Sequence, residues 1–117
     1  MQLQPHDSDT ENDLAYVLAA SPHAELRDGH RALELAREAS ESTGGRNPAV
    51  LRTLAAAYAE TGQYAEAAQT AQRALELVDT QSMPDLAKTL QSEIALYQSG
   101  KPFRDTSLYL SNSPDSR

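Results

Sequence analysis

Three histidines are the first residues to weigh for chemistry: His6, His23 and His30. His6 lies in PHDSD, where one imidazole beside two carboxylates could hold a divalent metal. The stretch around it is acidic and Ser/Asp/Pro-rich, so it reads as a solvated tail and not as a ligand set. His23 and His30 flank Asp28, but their spacing is not that of an i, i+4 ligand pair on a helix. Glu34 and Glu38 would face one way on a helix. General acid–base work, however, needs two carboxylates whose environments push their pKa values apart in a closed pocket. Ser40, Ser42 and Thr43 have no His/Asp companions, and neither G-x-S-x-G nor G-x-x-x-x-G-K-[ST] occurs. The chain has no cysteine, hence no thiol nucleophile, disulfide or Cys-based metal site. No catalytic residue, metal site or cofactor is expected, and the chain reads as a non-enzyme.

The elements must therefore carry the function by shape. The 117 residues allow one small domain. Lys+Arg number 10 against 17 Asp+Glu, a net charge of -7, and the basic residues do not cluster, which argues against phosphate-driven nucleic-acid binding. Alanine is the commonest residue, and aromatics are few, at five Tyr and one Phe. A core of that kind brings backbones close together and leaves little volume for a deep pocket. Met1–Glu11 lacks the layout of a signal peptide, and no apolar run approaches the roughly 18 residues that span a bilayer. The expectation is a soluble protein, cytoplasmic by default, with no membrane contact.

Residues 1–10 and 106–117 have no helical period and read as flexible tails around a helical domain at 11–105. Five helices are expected. The first runs from about Glu11 to Ala20 with Leu14, Val17 and Leu18 as its stripe, Ser21-Pro22 closing it and one extra turn within His23–Arg27. The second starts after Asp28, carries Ala32, Leu35, Ala36 and Ala39, and breaks at Gly44-Gly45. In the third, Asn47 caps, Pro48 fits the first helical position, Leu51, Leu54, Ala55 and Tyr58 form the stripe, and Gly62 is the stop. The fourth runs from Tyr64 to Val78 on an alanine-rich stripe. The fifth begins near Met83 or Pro84, with Ser82 as cap, and buries Leu86, Ala87, Leu90, Ile94 and Tyr97 before Gly100 and Pro102 end it.

Two interleaved series bind these helices together. Leu18, Leu54 and Leu90 recur every 36 residues, as do Ala15, Leu51 and Ala87. Ala32/Ala67, Ala36/Ala71 and Ala39/Ala74 recur at 35. Alternation of two helix types with nearly one period signals a repeat architecture. The stretch PAVLRTLAAAYAETGQYAEAAQTAQRALEL resembles the tetratricopeptide repeat (TPR), a helix–turn–helix unit. Counting Pro48 as repeat position one, Leu51, Leu54, Ala55, Tyr58, Gly62, Tyr64, Ala67 and Ala74 fall on its pattern. Ala71 and Asp79 depart from it. Residues 11–44 form a weaker copy and 83–100 a closing helix, so the resemblance implies an all-α, TPR-like α-solenoid of antiparallel helix-turn-helix repeats.

The resemblance also implies a concave groove lined by the first helix of each repeat. Its position five gives Tyr16, Arg52 and Lys88, position two Asp13, Ala49 and Asp85, and position nine Ala20, Ala56 and Ser92. An aromatic and two cations in one row, beside small residues, would suit a peptide with an acidic segment; pairing of Arg52 and Lys88 with Asp85, Glu60 or other acids of the chain is the competing expectation. Ala56 and Ser92 stand where the carboxylate-clamp members carry Asn, so that activity is not expected. The function expected is a non-catalytic protein–protein interaction module. The alternative is a structural or self-association module closing a longer array or multidomain chain, because two repeats plus a cap fall short of the roughly three units wanted for stability, which makes a homo-oligomer conceivable. Leu108-Tyr109-Leu110, with Phe103, would dock on the fifth helix or insert into a neighbour's groove.

Overall fold

Local signals set the helix boundaries. In the computed structural model, which describes residues 8–78 and 83–111, the helices are α1 (Ser8–Ala20), α2 (Gly29–Ser42), α3 (Pro48–Glu60), α4 (Tyr64–Leu77), α5 (Pro84–Gln98) and the short α6 (Thr106–Ser111). A single 3-10 turn, Ala24–Leu26, lies between α1 and α2. The Asp28 carboxylate accepts from the Arg31 N–H, and Asn47 Oδ1 accepts from the N–H groups of Ala49 and Val50, so two of the starts are capped by side chains. Gly62 takes φ +83°, which lets its N–H reach the Ala59 carbonyl and the Gln63 N–H reach that of Tyr58, closing α3. The same two-bond closure ends α2 at Gly44-Gly45 and α5 at Gly100-Lys101. α1 reaches back to Ser8, and α6 lies within the stretch read as a tail. His6, Asp79 and the Ser82 cap lie outside the described residues.

The protein is all-α, with five main helices packed in sequence as adjacent antiparallel pairs: α1 on α2, α2 on α3, α3 on α4, α4 on α5, with α1 also against α3. The radius of gyration is 14.1 Å, close to the roughly 13 Å of a compact chain of this length. Alanine makes the seams. Ala15, Ala32, Ala36, Ala39, Ala67, Ala71 and Ala74 are all fully buried, as are Leu51 and Leu90. A methyl group at each crossing brings the axes close, and the leucines fill the space between successive pairs.

The stripe of α1 differs from expectation. Leu14 is exposed and Val17 and Leu18 only partly buried, whereas Ala15, Ala19 and Ala20 face inward. Both stripes fit a 3.6-residue period. The smaller one turns inward because α2 and α3 both approach α1. In α5, Leu86 is only partly buried, and Glu93 takes a place in the buried face beside Leu90, Ile94 and Tyr97.

Candidate functional site

Three of the helices, α1, α3 and α5, and the segment after α5 converge on one polar cluster. Arg52, on α3, points toward α5, where its Nη2 donates to Glu93 Oε2 at 2.6 Å and its Nε lies 3.0 Å from both carboxylate oxygens. Glu93 is 3% exposed. Desolvation alone would make so buried a carboxylate costly, and the forked guanidinium offsets it. Burial pushes the Glu93 carboxyl above the usual carboxylate range, with Arg52 pulling it back. Burial also works against the Arg52 charge, but Glu93 more than compensates and holds the guanidinium protonated.

The opposite side of Arg52 is aromatic. Its guanidinium carbon lies 5.3 Å from the Tyr16 ring centroid and 5.2 Å from that of Phe103, both within cation–π range. The two rings are 6.3 Å apart and tilted by 48°. The Tyr16 hydroxyl donates to Asp105 Oδ2, and burial, followed by that hydrogen bond, raises the phenol pKa. Asp105 responds in the other direction: burial opposes its charge, but hydrogen bonds from Ser107 and Tyr16 outweigh this and hold its carboxyl below the usual range.

The stretch Lys101–Asp105 forms a strap across the face of α1 and α3. The Asp105 N–H donates to the Ala20 carbonyl at the end of α1 at 2.8 Å. Arg104 Nη1 pairs with Glu60 Oε1 at 2.8 Å, and Glu60 Oε2 pairs with Arg27 Nε at 3.4 Å, so one carboxylate at the end of α3 ties the α1–α2 connection to the strap. Phe103 packs within the chain, over Arg52 and beside Tyr16.

Beside the strap the face stays open. A depression of about 410 Å³ is lined by Asn12, Asp13, Tyr16, Val17, Ala49, Arg52, Thr53 and Leu86. A second, lined by Arg46, Asn47, Pro48, Met83 and others, shares Ala49 and Leu86 with it, so the two form one trough across the starts of α3 and α5. Four of the expected groove residues, Asp13, Tyr16, Ala49 and Arg52, thus meet in one place. Lys88, Asp85 and Ser92 are exposed on α5 but do not line the trough, and Ala56 is buried in the core. The expected row of two free cations does not form: Glu93 takes Arg52, while Lys88 makes no ion pair among the described residues.

The residues that sequence reasoning missed are Glu93 and Asp105, while Glu60 and Phe103, both named there, have other partners than expected: Glu60 pairs with Arg104 and Arg27, and Phe103 lies over Arg52. Glu93 carried a signal, since it is a carboxylate set three residues after Leu90 and four before Tyr97, inside an apolar stripe. Asp105 carried none that distinguished it from other acids. His23 caps the 3-10 turn and donates its N–H to Ser21 Oγ, His30 is exposed at the start of α2, and Glu34 pairs with Arg31 at 3.4 Å. Among the described residues no group of three or more His, Asp or Glu side chains is placed to hold a metal, and no helix is long and apolar enough to cross a membrane.

These elements define a small all-helical domain with sequential antiparallel packing. Comparison of the chain with protein-family models, with curated proteins and with solved structures finds no match.

Proposed function

We propose that the chain is a short TPR-like array of two repeats plus a closing helix, acting as a non-catalytic protein–protein interaction module. The observation that carries this reading is the open trough on the face of α1 and α3, where Asp13, Tyr16, Ala49 and Arg52 converge at the register the repeat implies. Its walls are small and apolar at Ala49, Val17 and Leu86, with polar atoms at Asn12, Asp13 and Thr53, a composition suited to an extended peptide backbone. The charged groups of the cluster are neutralised in ion pairs, Arg52 with Glu93 and Arg104 with Glu60, which suits recognition better than proton transfer.

The test pans displayed 12-residue peptides against the full chain and measures the enriched ones on Ala49→Trp and Lys88→Glu. Ala49 is exposed at the start of α3, so Trp there fills the trough without entering the core. Enriched peptides should bind Ala49→Trp at least about tenfold more weakly. Equal binding to both chains, or no enrichment, refutes the reading. Lys88→Glu, which lies outside the trough, should leave the binding of the enriched peptides unchanged. Reversing Arg52 as well would leave Glu93 buried beside a second acid, so it tests folding and not binding.

A second reading, a structural module closing a longer array or associating with itself, draws on Leu14, Leu26, Leu77 and Met83, each more than a third exposed. Sedimentation across a hundredfold concentration range tests it, and an unchanging monomer removes self-association.

A further inference from the structure

The strap after α5 is held as a ligand would be held. Each of three successive side chains has a receiver on the face of α1 and α3. Phe103 lies on the Arg52 guanidinium, Arg104 pairs with Glu60, and Asp105 accepts from the Tyr16 hydroxyl. A main-chain bond, from Asp105 N–H to the carbonyl of Ala20, fixes the register. The receivers come from α1 and α3 and are themselves braced. Glu93 clamps Arg52 from behind, so its flat face is presented outward, and Arg27 steadies Glu60 from the side. The trough at Asp13 and Ala49 shares Tyr16 and Arg52 with the strap, so it continues the same track toward the start of α3.

We propose that this face is a recognition site for an extended aromatic–basic–acidic segment of a partner protein, and that Phe103–Arg104–Asp105 closes it in cis until such a segment displaces the strap. The inference rests on the interaction-module reading and names the partner's chemistry and the regulation of that same face. Arg52 and Glu60 carry opposite charges, so neither a purely acidic nor a purely basic segment satisfies both. An aromatic side chain is required because only a flat apolar ring covers the guanidinium that Glu93 holds in place.

Closure in cis lowers apparent affinity by the fraction of molecules whose face is open. The test uses the full chain and a fluorescein-labelled peptide, KPFRDTS, read by anisotropy, with circular dichroism to check that each variant is helical. Phe103→Ala/Asp105→Asn in the protein should bind this peptide at least about tenfold more tightly than the wild-type chain does. Peptides in which the Phe is replaced by Ala, or the Asp by Asn, should bind that open variant at least about tenfold more weakly. If the doubly substituted chain does not fold, the wild-type chain decides: millimolar KPFRDTS should shift the NMR signals of Tyr16 and Ala20, and the Phe-to-Ala peptide should not. Equal affinity of wild-type and open chains, equal affinity of the altered peptides, or unshifted signals overturns the inference. A wild-type dimer on sedimentation in which the strap is exchanged between copies overturns closure in cis. Panning of the open chain separates the two failures. Enriched peptides without the aromatic–basic–acidic pattern overturn this inference and leave the interaction module standing, whereas no enrichment overturns both.

Discussion

Arg52 and Glu93, 41 residues apart in sequence, meet as a forked ion pair whose carboxylate is 3% exposed and whose shortest contact is 2.6 Å. It joins α3 to α5 across the face that carries the trough. Because one member is buried and the other partly reaches solvent, with side-chain exposures of 3% and 24%, the two halves of the pair are not equivalent.

Arg52→Ala should cost about 3–5 kcal/mol, since it strands a buried carboxylate. Glu93→Gln should cost less, because the guanidinium can turn to solvent and the amide still accepts from it. The double change Arg52→Met/Glu93→Leu should recover most of the loss. Urea unfolding followed by circular dichroism checks all three, and an Arg52→Ala chain within about 1 kcal/mol of wild type contradicts the buried-pair account.

Phe103→Ala should lower stability by about 1–2 kcal/mol, from lost apolar contact and the lost cation–π interaction with Arg52. The same change should speed tryptic cleavage after Arg104, which is held against Glu60 in the intact chain. Unchanged cleavage would mean that the strap does not depend on the ring.

The strap should also respond to acid. Asp105 has its carboxyl held below the ordinary Asp value of 3.8, so its folded pKa is depressed. Its contribution is complete above the ordinary value and is lost as pH falls through the folded one. Glu93, with a raised folded pKa, has the opposite sign: protonation favours the folded state as pH falls. Carbon-detected NMR titration of the Asp105 carboxyl should give a midpoint below 3.8, and Tyr16→Phe should move it upward. A midpoint at or above the ordinary value in wild type would contradict the hydrogen-bond assignment.

Tyr97 is 1% exposed, and its hydroxyl has no hydrogen-bond partner among the described residues. An unpaired buried hydroxyl costs free energy that a phenyl ring does not. Tyr97→Phe should therefore be neutral or stabilise by up to about 1 kcal/mol, measured by thermal unfolding. A loss of more than about 1 kcal/mol would show that the hydroxyl is satisfied in solution.

What the chain encoded by itself was everything that acts within a turn or two of helix. Asp28 and Asn47 cap, Gly62 stops α3, and Ala32, Ala36, Ala67, Ala71 and Ala74 mark the seams, because caps, left-handed stops and the 3.6-residue period are short-range effects. The spacing of the two series also announced alternating helices in sequential contact. It could not choose between the Leu14 and Ala15 stripes of α1, which differ by a single residue; the close approach of α2 and α3 made that choice. Nor could it pair Arg52 with Glu93, or Tyr16 with Asp105 from 89 residues away. Many acids of this chain were within sequence reach of those partners, and only the superposition of α1, α3 and α5, with the strap laid across them, decided which ones lie within a hydrogen bond.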